Sequence, residues 1–328
     1  MSLKTGIFGP SWRALPLVIL LAATGVSGCH AVVPSTPLVD PVKAAQMSEA
    51  RKRELDIQLA NELATWNTNT RHFNGAAAAA DSGVLRALPE AEQQRIVRRP
   101  FADREAWFAQ LAEEGYEMAA IAARIVKPSR GRVVPDKGAY RRLKELAEEG
   151  DQSALCFATV LLSKLTTEQP APLTREEAVR YVKTGSQLGL PLCRTTEAFL
   201  IEGHLNGYAY DRERVLRQLH EGANAGLYEA YRRLFNAFAH KSEREGFSNL
   251  NSVQAALCWG RLASRHKPDE AYYYLANLKS AAWKKNNFTN EADRPELMAL
   301  AKEWDPLANP LNTKPTSSKD CIQLEQER

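Results

Sequence analysis

Paired carboxylates are the first candidates for chemistry in this chain. Glu113 and Glu114 are followed by Gly115, and 35 residues later Glu148 and Glu149 are followed by Gly150, both inside the pentapeptide LAEEG. Two acids side by side could share a proton or divide acid and base roles. Adjacent residues on a helix do not face one another, however, and recurrence at equivalent places beside a glycine is expected of wet helix ends. Lys183-Thr184-Gly185 imitates one element of a β-lactamase site, but it falls inside a repeat helix. The six histidines at 30, 72, 204, 220, 240 and 266 form no HExxH and no pair at helical spacing. No GxSxG, GxxxxGK[ST] or GxGxxG occurs, so the expectation is a non-enzymatic chain with no catalytic residue, metal, cofactor or small-molecule substrate.

The glutamates lead instead to the elements that carry them. With Gly115 and Gly150 as anchors, the same position recurs at Gly189 and Gly226, at spacings of 35, 39 and 37, and at Lys267, 41 further on. Three places before each anchor stand Ala112, Ala147, Ser186, Ala223 and Ser264, all small. Seven before stand Phe108, Leu143, Val182, Leu219 and Gly260. Four after stand Ala119, Ala154, Cys193, Ala230 and Ala271, again small. This pattern predicts a helix, a tight turn on a left-handed glycine, and a second helix lying close to the first. Turn-forming loops separate the units. Asp136, Thr174, Asp211 and Ser252 are the expected caps of the next first helix, Thr174 with Glu177 in a capping box. Helices of about 12 residues on a period near 38 describe an all-α solenoid of about five helix-turn-helix units.

The ends of the chain add the location. MSLKTGIFGPSWR is basic, and Ala14 to Val26 is an apolar run too short to span a bilayer as a stable helix. Residues 1–28 are therefore read as a signal peptide. Ser27 and Gly28 before Cys29 resemble the bacterial lipobox, in which Cys29 becomes the lipidated first residue; one acyl chain binds marginally and two or three bind firmly. His30 at the next position favours the outer membrane in that family. Residues 29–40 hold two prolines, with a third following at Pro41, and read as an extended tether of some 30–40 Å. Asp40 and Pro41 suit an N-cap and N1, and Leu55, Leu59, Leu63 and Trp66 share one helix face within an N-terminal helical and low-complexity region, 41–100. The repeats occupy 101–285. Residues 286–328 hold a capping helix at ELMALAKEW and a polar tail from about Asn309.

Charge and cysteine usage narrow the partners. The net charge is +4 over 328 residues, and about +2 without Lys4 and Arg13, which gives no field for nucleic acid. Cys156, Cys193, Cys258 and Cys321 allow three pairings, show no CxxC spacing, and are expected to be structural thiols; packing alone accounts for Cys193. Surface recognition falls to Tyr208 and Tyr210 in an inter-repeat loop, and to Tyr272, Tyr273 and Tyr274, which cannot all face one core. Filling the last repeat's interface is the alternative for these three. A basic loop with Lys127, Arg130, Arg132 and Lys137 could meet an acidic partner or simply be solvated.

Ala112 to Gly115 with Ala119, and Ala147 to Gly150 with Ala154, resemble the Sel-like (SLR) repeats, longer relatives of tetratricopeptide repeats. The likeness covers about 101–285 and fades toward the fifth unit, which lacks the glycine. The order of lipobox, helical preface, repeats and polar tail, with ADREAWFAQLAEEGYEMAA before PSRGRVVPD, resembles the immunity lipoproteins of type VI secretion lipase effectors. That resemblance implies a lipid-anchored module facing the periplasm that binds and neutralises a phospholipase-type toxin. The alternatives are a scaffold lipoprotein for an envelope or exopolysaccharide export complex, and an enzyme assembled across the solenoid.

Overall fold

Six-to-seventeen-residue helices, paired through tight turns, account for nearly all of the described residues in the computed structural model, which are 36–64, 101–125, 136–162, 173–267, 272–283, 294–304 and 317–326. Among these residues there is no strand, and no helix is long and apolar enough to cross a membrane. Cys29, Trp66, the alanine run at 76–80, Arg130 and Arg132 lie outside the described residues.

The short α1 (Pro41–Gln46) starts as the sequence predicts, with the Asp40 carboxylate accepting from the Val42 N–H and proline at the first position. α2 follows at 49–64. The paired helices are α3 (Phe101–Glu113) with α4 (Glu117–Ile125), α5 (Lys137–Glu148) with α6 (Gln152–Leu162), and α7 (Arg175–Gln187) with α8 (Pro191–Glu202). α9 (Arg212–Asn224) pairs with α10 (Tyr228–Arg244), and α11 (Leu250–Ser264) is followed by α12 (Tyr272–Ala282). Helices next to one another in sequence pack against each other, an arrangement consistent with an all-α solenoid. α13 (Pro295–Trp304) is the expected capping helix.

The turns explain the repeat columns. At the first, the Gly115 N–H donates to Ala112 O at 3.0 Å and the Tyr116 N–H reaches back to Leu111 O at 2.9 Å. This double closure satisfies carbonyls that the helix end would orphan, and it needs a left-handed residue. The four anchor glycines have φ of 97°, 88°, 82° and 89° and repeat the same bonds. Gly115 meets a second constraint, because a Cβ there would lie 2.6 Å from the Lys43 carbonyl carbon of α1. At the fifth place, Lys267 bonds back to Ala263 without a left-handed residue, as the missing glycine implies. The columns at −7 and +4 form the inter-helix core: Phe108, Leu143, Val182, Leu219, Ala119, Ala154, Cys193 and Ala230 are all at most 2% exposed.

Two small residues inside helices let the layers approach further. A Cβ on Gly185 would sit 2.1 Å from the Cys193 sulfur, and one on Gly222 would sit 2.0 Å from Thr195 Oγ1. Backbone therefore packs directly on neighbouring side chains at both places.

Three expectations are corrected. Thr174 with Glu177 forms the capping box, and Asp136 and Asp211 cap their helices, but Asn249 rather than Ser252 caps α11. α10 continues through Arg244 and ends on left-handed Gly246 and Phe247, so the loop shortens and Ser252 is buried in the first turn. The cysteines are not thiols: Cys156 bonds Cys193 and Cys258 bonds Cys321. The two-residue offset of Cys156 from its column lets it reach across α6 and α8, with Cα atoms 4.7 Å apart. The polar tail holds a further helix, α14 (Ser318–Gln326), fixed to α11 by the second disulfide.

Candidate interaction surface

The N-terminal helices already cover one edge of the molecule, and this limits where a partner could bind. Leu55, Leu59 and Leu63 have no exposed surface, so α2 is docked through the face its sequence predicts. Polar contacts fix its course. Tyr116 and Ser153 hydroxyls donate to Asp56 at 2.6 and 3.0 Å, and Asn61 both donates to Gly226 O at 2.9 Å and accepts from the Tyr228 N–H at 2.8 Å. α2 thus runs along the row of intra-pair turns from the first pair to the fourth. A cleft of about 210 Å³ remains beside it, lined among others by Met47, Lys52, Tyr116, Arg142 and Asp151. Its charges are internally matched, since Arg142 grips Glu117 with two nitrogens at 2.8 and 3.1 Å. Burial raises the Asp56 carboxyl to about 6, against the pull of its two hydroxyl donors.

A second polar cluster ties the third pair to the fourth. The Glu197 carboxylate of α8 is fully buried and accepts from Ser186 Oγ at 2.5 Å, Gln218 Nε2 at 2.6 Å, Arg214 at 2.8 Å and the Tyr208 hydroxyl at 3.0 Å. Burial pushes its pKa upward, yet these donors and the Arg214 charge outweigh burial and hold it below the ordinary value. Tyr208 is pushed up to about 12 by burial and by Glu197. This network is structural and engages the Tyr208 hydroxyl, leaving its ring half-buried.

Tyr274 is corrected as a recognition residue. It is 2% exposed, shares a 2.7 Å hydrogen bond with Ser242 and packs edge-on against Phe235. The side chains of Tyr272 and Tyr273 lie outside the described residues. Tyr210 is free to recognise: it is 52% exposed and lies near the His204 ring. It borders a shallow cleft of about 50 Å³ with Arg212, Leu216, Phe238 and Lys241, formed between α9 and α10. On α8 beside it, Phe199 stays 38% exposed under the Arg233 guanidinium at 4.3 Å, and Arg233 is held by Glu202 and Glu229. Sequence reasoning missed Phe199 and Arg233, because an apolar residue in a repeat helix reads as core until its neighbour's path is known.

The paired glutamates are exposed at helix ends, and Glu114 serves a salt bridge to Arg51 at 3.3 Å. Lys183-Thr184-Gly185 lies within α7. Among the described residues no group of three or more His, Cys, Asp or Glu is placed to hold a metal. No protein-family model, curated protein or solved structure matches the chain.

Proposed function

We propose that this chain is a protein-binding module, lipidated at Cys29 and held on the periplasmic side of the outer membrane, where it neutralises a phospholipase-type toxin of a type VI secretion system. The observation that carries the binding role is the surface over α8, α9 and α10. There an exposed tyrosine and two cationic side chains, Arg212 and Lys241, border a shallow cleft, and α8 carries a half-exposed phenylalanine under Arg233. Aromatic and arginine side chains with a preset geometry supply most interface energy, at low cost in lost rotamers. Two disulfides suit an oxidising envelope compartment. Anchoring would concentrate the module at the membrane that a phospholipase attacks.

The test expresses a periplasmic lipase-type effector from a type VI locus with and without this protein, then with Tyr210→Ala/Phe199→Ala. Survival restored by the intact chain and reduced by the double variant is expected. Unchanged killing, with no complex recovered, overturns the immunity reading. Loss of polymer export on deleting the gene would favour the scaffold role instead.

A further inference from the structure

The first helices of three successive pairs carry cations at matching registers. Nine and six residues before the turn glycine stand Arg141 and Lys144 on α5, Arg180 and Lys183 on α7, and Arg217 and His220 on α9. Arg141, Arg180, Lys183 and Arg217 are exposed. Lys144 is engaged by Glu177 of the next helix at 2.7 Å, and Arg180 lies against the Tyr181 ring. Side chains link the three helices in order, Lys144 to Glu177 and Gln218 to Ser186 at 3.3 Å. The opposite end of the row is occupied. α14 lies against α9 and α11, and its Glu325 carboxylate contacts His220 Nε2 at 3.0 Å and accepts from the Trp259 indole N–H at 2.6 Å. Ser318 of the same helix meets Asn224 at 2.7 Å. The molecule therefore already seats a carboxylate-bearing helix on this face, at the register that Lys183 and Lys144 continue.

We infer that the face of α5, α7 and α9 is a docking surface for an acidic helical segment of a protein partner, laid along the row of cations beside α14. This deepens the protein-binding reading and rests on it. Continuity with the α14 interface and charge complementarity argue for a protein. Glu145, Glu148 and Glu176 separate the cations, so the face offers spaced charges that a helix with spaced carboxylates can meet singly, and not the unopposed cluster of four or more that recruits anionic lipid. The Tyr210 cleft uses other residues of α9, among them Arg212 and Leu216.

The probe is a fluorescein-labelled alanine-based helical peptide of 20 residues with glutamate at every fourth position, titrated against the full chain in detergent. Saturable binding is expected, weakened at least fivefold by Arg141→Glu/Lys183→Glu/Arg217→Glu. The triple Arg53→Glu/Arg124→Glu/Lys302→Glu, of equal charge change at exposed sites elsewhere, should bind as the parent does. All substituted side chains are exposed, and circular dichroism verifies the fold. Equal loss in both triples, or no binding, overturns the proposal. So does binding only to vesicles containing phosphatidylglycerol. If toxin neutralisation survives the face triple undiminished, this face falls and the immunity reading stands. If the peptide binds as expected while no toxin is neutralised, the reverse holds.

Discussion

Gly115 and Gly150 have the same sequence context and the same turn, yet they carry different loads. Both need a left-handed backbone, which costs an alanine about 1 kcal/mol. Nothing lies within 4 Å of a Cβ at Gly150, whereas at Gly115 it would strike the α1 backbone. Gly150→Ala should therefore lose about 1 kcal/mol in urea unfolding, and Gly115→Ala about 2–4 kcal/mol with loosening of α1. Asp56 gives a second residue-scale prediction. Its folded pKa of about 6 is raised above the ordinary 3.8, so the folded state holds the proton more tightly. The stabilisation is complete below about pH 4, is lost as pH rises to about 6, and is flat above. The gap in stability between the parent and Asp56→Asn should widen by about 1–2 kcal/mol in the variant's favour between pH 4.5 and 7.5. A gap independent of pH would show that Asp56 titrates normally.

At the scale of elements, the repeat helices were legible and the two terminal additions were only half so. α2 announces itself through Leu55, Leu59 and Leu63, but its course along the turns depends on Asn61 and Asp56, polar residues with no periodic signature. α14 offers little apolar pattern to read: Cys321 is its one fully buried residue among those described, with Ile322 and Leu324 partly buried against the core. Its attachment depends on the disulfide, which closes a 63-residue separation and is worth about 4 kcal/mol on chain-entropy arithmetic. Cys321→Ser should thus release α14, raising hydrogen exchange over 318–326 and exposing His220 and Trp259, with little change in the first three pairs. Full retained protection would mean that the non-covalent contacts of Glu325, Ser318, Ile322 and Leu324 suffice.

Across the whole molecule, stacked helix pairs contact mainly their neighbours, so an unsupported array would unfold piecemeal. α2 bridges the first, second and fourth turns, and Cys156–Cys193 links two adjacent pairs. One cooperative transition is expected from circular dichroism and tryptophan fluorescence together. Leu59→Ala, which empties a fully buried site at about 2–4 kcal/mol, should separate the two probes. Coincident transitions in that variant would show that α2 does not couple the pairs.

The sequence by itself determined the helix-turn-helix units, because a glycine, a small residue three before and another four after are local demands of one turn and one close crossing. It also assigned the paired glutamates to wet helix ends. The disulfides, the burial of Tyr274, the engagement of the Tyr208 hydroxyl and the exposure of Phe199 follow only from tertiary packing. Each depends on which side of one helix meets its neighbour, at separations of up to 63 residues, and no local pattern records that. The matched cations illustrate both halves: their register is written in the repeat, but that α14 meets His220 while Arg141, Lys183 and Arg217 stay exposed among the described residues follows from how the chain folds back.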